Sequence, residues 1–340
     1  MAVTRKAVAN RAAVSEATVS YVVNNGPRPV AAETRARVLQ AIQELGYHPS
    51  DVARSLRKQR TSTIGLIVPD TANPFYGEMA RIIENVGYAN GYTVILCNSN
   101  LDAGREASYV NLLRTRRVEG AVIIPTTAES VAELLAADIW TIVLEYEIEG
   151  AYCLVADDLA GGRMVTRYLL DLGHCRIACI TQAGDKTSSQ KRVEGYLDAL
   201  IQANVPIDRS LMIETEAETA AGEEATFRLL AQADPPTAIF AHNDAQAIGV
   251  LSALHKRGLD VPGDVSVVGY DDIEQAAYIN PPLTTVAHPK QRMGERAAYL
   301  LIDLMQGRSV PPPHIAVLDV SLIERESSGP PRAAARYRKG

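Results

Sequence analysis

Aromatic residues and cysteines are scarce in this sequence. Phe, Trp and Tyr together make up 5% of the 340 residues, and the four cysteines form no Cys-x-x-Cys pair. Isolated cysteines beside apolar, strand-like stretches are typical of buried, reduced thiols rather than of metal ligands. We therefore expect no metal site and no cofactor. The thiols expected to be buried are Cys97, Cys153, Cys175 and Cys179.

Long apolar runs are also missing. No stretch reaches the roughly 18 apolar residues that a membrane-spanning helix needs. The first residues include Arg5, Lys6 and Arg11, where a secretory signal would require an unbroken apolar run. We therefore expect a cytoplasmic protein without a membrane partner.

The sequence lacks motifs that would indicate an enzyme. The pair Gly161-Gly162 is too little for a glycine-rich loop that cradles phosphate. No serine or cysteine nucleophile motif accompanies His174, so a structural histidine at the start of a strand is the better interpretation. We therefore expect no catalytic activity.

Charge is divided unevenly along the chain. Residues 1–60 contain ten Lys or Arg and four Asp or Glu, a net charge of +6, whereas the other 280 residues contain 24 basic and 36 acidic residues, a net charge of −12. A basic segment on an acidic body confines attraction for nucleic acid to one end of the chain. Because a solvated basic surface has the same charge, the helices of this segment must decide between the two interpretations.

The stretch from Val14 to Asn24 predicts a short helix with two kinds of surface. Val19, Val22 and Val23 fall at i, i+3 and i+4 and can pack against a small core, while the polar residues between them face outward. Ser15 can cap the first amides of this helix.

Two more helices are predicted around this stretch, one over roughly residues 5–11 and one over residues 32–45. The inward residues expected in the third helix are Val38, Leu39, Ile42 and Leu45. Three helices with a tight link between the first two predict a helix-turn-helix, whose second helix reads the major groove.

From residue 63 onward, apolar strand-like runs alternate with amphipathic helices. This alternation predicts parallel sheets covered on both faces, and its length suggests two such units. The fold class is therefore α/β: an all-α headpiece and two doubly wound lobes with a cleft between them. The strand runs are residues 64–68, 94–97, 121–124, 142–144, 177–180, 238–240 and 265–268.

Several motifs of the body complete a resemblance that the headpiece begins. They are Asn73-Pro74-Phe75-Tyr76, Leu172-Gly173-His174, Val261 to Asp272 and Pro282 to Val286. Over almost its whole length the chain resembles the lactose-repressor and purine-repressor (LacI/GalR-type) family of bacterial transcription regulators. The resemblance implies periplasmic-binding-protein-like lobes and a homodimer.

The resemblance also sets the expected domain limits. The headpiece covers residues 1–48 and a hinge helix with its linker covers residues 49–61. The body covers residues 62–330, with an N-lobe of about 62–159 plus 291–319 and a C-lobe of about 160–290 plus 320–330. Residues 331–340 are expected to form a tail.

For DNA, the resemblance places Glu16, Ala17 and Tyr21 at base-reading positions. A carboxylate can accept from a cytosine amino group, a methyl can touch thymine, and tyrosine offers a hydroxyl and a ring. Short polar side chains near the helix starts suit phosphate contacts, although they suit capping equally well. These backbone contacts are expected from Thr4, Ser15, Thr18, Ser20 and Asn24.

Residues 49–61 resemble the hinge helix of the family. An isolated helix this short is marginal in water, so it orders only when something holds it. The resemblance implies that two hinges pack in the minor groove, with Leu56 wedged between base steps and Arg54 and Arg57 near phosphates. An ordinary interdomain linker is the alternative.

Polar residues recur directly after the predicted strands, where ligands of doubly wound folds bind. Carboxylate, amide and guanidinium groups pair well with hydroxyls, although each can also be a cap or a salt bridge. By resemblance the best effector contacts are Arg192, Asn243 and Asp271, followed by Phe75, Tyr76, Glu145 and Ser188. Asp158 stands where relatives often have asparagine, so its loop either lines the cleft or braces it.

The sequence therefore predicts a homodimeric transcription regulator, a repressor, that binds a roughly palindromic operator in double-stranded DNA. A small molecule between the lobes would switch the affinity for the operator. A sugar or sugar-like inducer is the first choice, and a purine-type corepressor, with the opposite effect, is the alternative. A solute-binding receptor would share the body fold, but it would need an export signal in place of residues 1–60.

Overall fold

The computed structural model describes residues 3–23, 28–47, 61–182, 187–312 and 314–332. The chain divides into two compact units, the headpiece unit (residues 1–62) and the body unit (residues 63–340). Within the described ranges, no helix is both long and apolar enough to cross a membrane.

Three helices form the headpiece: α1 (Arg5–Ala12), α2 (Glu16–Val23) and α3 (Ala32–Leu45). Ala13 has a left-handed backbone, with φ of 53°, and makes the tight link between α1 and α2. The predicted helix-turn-helix is confirmed. Its core consists of small apolar side chains from all three helices: Val8, Ala9, Ala12, Val19, Val22, Val38 and Ala41.

One prediction for α3 is wrong. Leu39 was expected to face inward, but it is 51% exposed. The buried face follows Val38 and Ala41, with Ile42 and Leu45 partly buried beside them. Because these positions already form an i, i+3, i+4, i+7 stripe, Leu39 lies outside it.

The N-lobe of the body is a six-stranded parallel sheet with helices on both faces. Its strands are β1 (Thr63–Val68), β2 (Thr93–Asn98), β3 (Gly120–Ile123), β4 (Trp140–Leu144), β5 (Tyr152–Ala156) and β11 (Ile315–Leu318), in the spatial order β11-β5-β4-β3-β1-β2. Its helices are α4 (Pro74–Ala89), α5 (Ala103–Arg116), α6 (Ala128–Ala136) and α11 (Lys290–Met305).

The C-lobe repeats this plan. Its strands are β6 (Ile177–Gln182), β7 (Met212–Thr215), β8 (Ala238–Ala241), β9 (Ser266–Asp271), β10 (Thr284–Ala287) and β12 (Ser321–Ile323), in the order β12-β10-β9-β8-β6-β7. Its helices are α7 (Asp158–Asp171), α8 (Thr187–Gln202), α9 (Thr219–Leu230) and α10 (Asp244–Lys256). The edge strand β12 is antiparallel to β10. The prediction of a wholly parallel sheet is therefore wrong for the C-lobe.

The chain passes between the lobes three times: after β5, after β10, and between β11 and β12. The predicted α/β class with two doubly wound lobes is confirmed. Five of the strands, β5, β7, β10, β11 and β12, were not among the predicted runs. The last two are late additions at the sheet edges, where half-exposed strands lack the continuous apolar run of a buried one.

One smaller expectation needs correction. Cys175 is exposed, because it lies in the loop before β6, while Cys97, Cys153 and Cys179 are buried as expected. Arg332, just after the predicted end of the body, pairs with Asp260 of the C-lobe at 2.8 Å.

His174 has a structural role, as expected. Its Nδ1 lies 2.9 Å from the Thr237 hydroxyl, and its Nε2 lies 3.1 Å from the Ser266 hydroxyl and 2.9 Å from the Gly329 carbonyl. Burial lowers the pKa of this imidazole. The ring therefore ties the chain beyond β12 to the C-lobe.

Candidate functional site

The start of α2 is organised by its own polar residues. Ser15 accepts a hydrogen bond from the Thr18 amide at 3.1 Å, and the two hydroxyls lie 2.9 Å apart. This is an N-cap, which satisfies amides that the helix leaves free. Thr4 caps α1 in the same way, by accepting from the Ala7 amide at 3.3 Å. Three of the residues expected to contact phosphate thus also stabilise helix starts.

The expected base-reading residues lie on the outer face of α2. Glu16 and Ala17 are exposed, and Ser20 and Tyr21 are half-buried. The Glu16 carboxylate lies 3.3 Å from Nε of Arg5, so it is paired with α1 in the free protein. This surface of the headpiece thus carries the Glu16 carboxylate, the Ala17 methyl group and the Tyr21 phenol. The Arg5 guanidinium lies beside the carboxylate.

Part of the sequence-based prediction lies outside the described residues. This holds for the hinge segment and for four of the expected DNA contacts, namely Asn24, Arg54, Leu56 and Arg57.

A cavity lies between the two lobes, at the carboxyl ends of the strands. It is called the inner cavity below. All seven residues expected to contact an effector line it: Phe75, Tyr76, Glu145, Ser188, Arg192, Asn243 and Asp271. They come from loops and helix starts of both lobes, so the fold brings together residues that are up to 196 positions apart.

Arg192, near the start of α8, is the best-braced side chain of the inner cavity. Its Nε donates to Asp158 at 2.7 Å, and one terminal nitrogen donates to the His242 carbonyl at 2.7 Å. The same nitrogen lies 3.9 Å from the Asp271 carboxylate, and the guanidinium stacks 3.6 Å above the Tyr270 ring. The arginine is buried, so these contacts fix both its charge and its plane.

Two adjacent glycines of α7 make this arrangement possible. A Cβ at Gly162 would lie 2.1 Å from the Arg192 carbonyl oxygen, and a Cβ at Gly161 would lie 2.2 Å from the Tyr270 hydroxyl. Across the same contact, a Cβ at Gly195 would meet the Leu159 carbonyl at 2.2 Å. The Gly161-Gly162 pair thus serves close helix packing, which is why it is not a phosphate loop.

Asp158 braces the cavity instead of lining it, which settles the question left by the sequence. Its side chain is buried against Arg192 and does not reach the cavity wall. Burial raises its pKa, while the guanidinium opposes that shift. The neighbouring Asp157 caps α7 by accepting from the Ala160 amide at 3.0 Å.

Asp271 ends β9 with an unusual backbone, at φ of 108°. A non-glycine residue in this region is strained, and such strain is concentrated at functional sites. Burial raises the pKa of its carboxyl to about 6, although Arg192, His288 and Lys290 favour the charged form. Asp271 is therefore protonated more easily than an exposed aspartate.

Glu145 and His288 form a second buried pair. Nε2 of His288 lies 3.1 Å from Oε1 of Glu145, an ion-pair distance whose angles do not meet hydrogen-bond criteria. Burial alone would lower the pKa of the imidazole, but the carboxylates of Glu145, Asp158 and Asp271 raise it. The ring also packs edge-on against Phe75, with 4.8 Å between centroids. His288 was not predicted, because it lies in a crossover with no motif of its own.

Asn243 has a structural role as well as a place in the wall. Its carbonyl oxygen accepts from the Gln246 amide at 2.8 Å and caps α10, and its amide donates to the Ala217 carbonyl at 3.1 Å. Ser188 and Tyr76 are half-buried at the cavity, and Phe75 is buried beside them.

Several wall residues were missed from the sequence. Glu216, Ala217 and Glu218 follow β7, and they were missed because this short strand was not recognised. Gln182 ends β6 and Tyr146 follows β4, and both strands were recognised, so the rule that ligands bind at the carboxyl ends of strands could have found these residues.

Charged contacts also join the lobes beside the cavity. On one side, Glu78 of the N-lobe accepts from the amide of Glu274 in the C-lobe at 3.1 Å. Lys290, which pairs with the other Glu78 oxygen at 2.6 Å, donates to the carbonyl of Asp272 in the C-lobe at 2.7 Å. On the other side, Lys191 of the C-lobe pairs with Glu147 of the N-lobe. These contacts hold the two lobes at a defined spacing.

Sequence comparison places the chain in a family. Residues 4–50 match the family described as "Bacterial regulatory proteins, lacI family", and residues 166–328 match a "Periplasmic binding protein-like domain". Over 332 residues the chain is 37% identical to the HTH-type transcriptional repressor PurR of Pectobacterium carotovorum subsp. carotovorum (strain PC1), covering 95% of this chain and 96% of the relative. The chain belongs to the LacI family.

Solved LacI-family structures share this architecture. The lac repressor dimer bound to operator and the anti-inducer ONPF aligns over 97% of this chain and 100% of its own, with a TM-score of 0.85 and 28% identity. The complex of the transcriptional regulator CelR with cellobiose aligns over 96% of this chain and 100% of its own, with a TM-score of 0.73 and 30% identity. LacI-family proteins are transcription regulators rather than enzymes. This protein is a DNA-binding regulator with an effector-binding body.

Proposed function

We propose that this LacI-family protein is a cytoplasmic, homodimeric repressor whose operator affinity falls when a neutral, sugar-like inducer occupies the inner cavity. The observation that carries this proposal is Arg192, fixed between Asp158 and Asp271 in a cavity between the two lobes. A rigid, buried guanidinium donates hydrogen bonds to ligand hydroxyls, and the carboxylate beside it accepts hydrogen bonds from them. Polyhydroxylated ligands present such hydroxyls in pairs.

The charge of the cavity favours a neutral ligand. Among the described residues that line it, Arg192 carries the fixed positive charge, and two carboxylates already surround that charge. Five carboxylate side chains line the same space: Asp70, Glu145, Glu216, Glu218 and Asp271. A phosphorylated ligand would meet several negative charges in a partly desolvated site, which costs far more than a neutral hydroxyl does. We therefore expect free sugars to bind and sugar phosphates to be rejected.

A purine-type corepressor is the second candidate, and the relatives named PurR favour it. The aromatic rings of Phe75 and Tyr76 offer stacking surface that a flat base would use. The two candidates predict opposite signs: an inducer weakens operator binding, and a corepressor strengthens it. The cellobiose found in the similar CelR structure supports the sugar.

For DNA, we propose that two headpieces of a dimer bind the half-sites of a roughly palindromic operator. Glu16, Ala17 and Tyr21 would contact base edges, because they share the outer face of α2. In this arrangement Arg5 would release Glu16 and contact a phosphate of the DNA backbone instead. The remaining contacts are proposed for Thr4, Ser15, Thr18, Ser20 and Asn24, with Arg54, Leu56 and Arg57 in the minor groove.

The test is binding of the full-length protein to a labelled DNA fragment from its own upstream region, at fixed salt, with and without each compound. The compounds are neutral sugars, the corresponding sugar phosphates, and purine bases. We expect specific binding that one neutral sugar abolishes and that its phosphate leaves unchanged. Operator binding that requires a purine would show that the effector is a corepressor and not an inducer. Specific binding that no compound alters, together with no calorimetric signal, would contradict the proposed switch.

A further inference from the structure

A second depression continues outward from the inner cavity, and it is called the outer groove below. The two spaces share the residues Asp70, Asn73, Leu101, Ala217 and Glu218, so they form one continuous space between the lobes. We propose that the outer groove is a second subsite, which binds a second sugar unit, or an equivalent neutral substituent, of the effector. This inference rests on the proposed function, because it assigns a larger ligand to the same cleft.

Leu101 forms the boundary between the two spaces, and its conformation is costly. Leu101 and its neighbour Asn100 have left-handed backbones, with φ of 55° and 54°. Leucine rarely adopts this region, whereas glycine or asparagine would do so at little cost. The amide of Leu101 donates to the Pro69 carbonyl at 3.0 Å, which holds it beside the end of β1.

Packing within the protein does not explain why position 101 carries a leucine. The residue is 40% exposed, so the strained position leaves a large part of an apolar residue in contact with water in the free body. A turn between β2 and α5 would need only the backbone conformation, not the apolar side chain. The apolar side chain of Leu101 therefore becomes buried only when something covers it. A ligand in the adjoining groove would cover it.

The opposite wall of the outer groove is apolar as well. Ile248 of α10 is half-buried there, and Ile273 lies beneath it. Together with Leu101 they form two apolar surfaces that face one groove from different lobes. Such a pair of surfaces suits the apolar face of a sugar ring or of a similar flat, neutral group.

Acceptors for hydroxyl groups lie at the junction of the two spaces. Glu218 stands at the N-cap position of α9, but its carboxylate makes no capping bond, and it is exposed. Asp70 lies across from it and accepts from the Ala72 amide at 2.8 Å with only one of its oxygens. A ring bound between these carboxylates would donate its hydroxyls at the edge while its carbon face contacts leucine and isoleucine. A second anionic group would be repelled here, as in the inner cavity.

The experiment compares one-unit and two-unit ligands of the same chemistry by calorimetry on the full-length protein. The probes are D-glucose against cellobiose, D-galactose against lactose, and adenine and guanine against their ribonucleosides. Leu101→Asn removes the apolar side chain but suits the left-handed backbone, and Ala220→Tyr fills the outer groove from the exposed start of α9. Leu135→Asn is the matched control, since Leu135 is 39% exposed and lies in α6, outside both spaces.

We expect the two-unit member of the pair that binds to have an affinity about tenfold higher than its one-unit partner. Leu101→Asn and Ala220→Tyr should each remove that advantage. Ala220→Tyr, which lies outside the inner cavity, should also leave the one-unit affinity within about threefold of the unchanged protein, and Leu135→Asn should change neither value. Equal affinities for one-unit and two-unit probes, or an advantage that survives both substitutions, would overturn the second subsite and leave the inner cavity and the proposed function intact. Binding of no probe at all would overturn both.

Discussion

The headpiece and the body differ in whether the side chains proposed to bind ligands also stabilise the fold. In the headpiece, Val8, Val19 and Val38 hold the fold, while the proposed base contacts lie outside this core, with Glu16 and Ala17 exposed and Tyr21 half-buried. In the body, Arg192 and Asp271 are buried and paired, so the same side chains hold the fold and line the cleft. The difference teaches that DNA specificity can change at little structural cost, whereas effector specificity is tied to the stability of the C-lobe.

The largest effect that follows concerns the buried ion pair. Arg192→Ala leaves Asp158 buried without its partner, so the free energy of unfolding should fall by about 3–5 kcal/mol. Effector binding should be lost as well. Chemical denaturation followed by circular dichroism, together with calorimetry of the effector, measures both.

The control is another arginine–aspartate pair between the same two helices. Arg163 of α7 and Asp198 of α8 lie 2.7 Å apart at the surface, with side chains 37% and 45% exposed. Arg163→Ala should cost about 1 kcal/mol or less, because solvent screens the exposed pair. Similar losses for the two arginine substitutions would contradict the account of the buried site.

A smaller effect is expected where α7 packs on α8. Gly162→Ala puts a Cβ against the Arg192 carbonyl, so α8 must shift, at a cost of about 1–3 kcal/mol. Effector affinity should fall in parallel, because the shift moves the guanidinium. Gly77→Ala in α4 is the comparison, since a Cβ there meets nothing within 4 Å, and alanine should slightly stabilise that helix. Unchanged affinity in Gly162→Ala would show that the close packing does not position Arg192.

In the headpiece, a substitution on the outer face of α2 should change operator binding and leave the free energy of unfolding unchanged. Tyr21→Ala should lower operator affinity about tenfold and reduce discrimination between the operator and unrelated DNA, because a base contact is lost. Effector affinity and amide hydrogen exchange in α1–α3 should stay the same. Leu39→Ala, an exposed change on α3, is the control that should leave operator binding intact. An equal loss of affinity for all DNA sequences would assign Tyr21 to the phosphate backbone instead.

The smallest effect is a dependence on pH. The pKa of Asp271 is raised to about 6, so lowering the pH from 7 to 6 protonates about half of this acceptor and should weaken effector binding about twofold. The stability contribution has the opposite sign: the folded state holds the proton more tightly, so this contribution is largest below the ordinary pKa and is lost as the pH rises through 6.

Asp271→Asn separates this carboxyl from the other charged groups that lie near it, His288, Glu145 and Asp158. The twofold step near pH 6 should disappear from the titration of this variant. A step that persists unchanged would assign the pH dependence to His288.

The same contrast explains what the sequence could predict. Helix α2 was located by the spacing of Val19, Val22 and Val23, because the periodicity of a helix is local. The seven effector-facing residues came from family resemblance, and the structure brings all of them to one cavity. The role of Asp158 was left open and His288 was not identified, since their roles depend on partners 34 and 143 positions away. Leu101 escaped because no sequence pattern reveals a strained backbone.

The most direct test of the central claim is reciprocity between the two binding sites. If one cavity binds the effector and switches the operator affinity, the factor by which effector changes the operator Kd must equal the factor by which operator changes the effector Kd. We predict equal factors for the unchanged protein. An effector that alters operator binding while its own affinity is the same with and without operator would contradict the account.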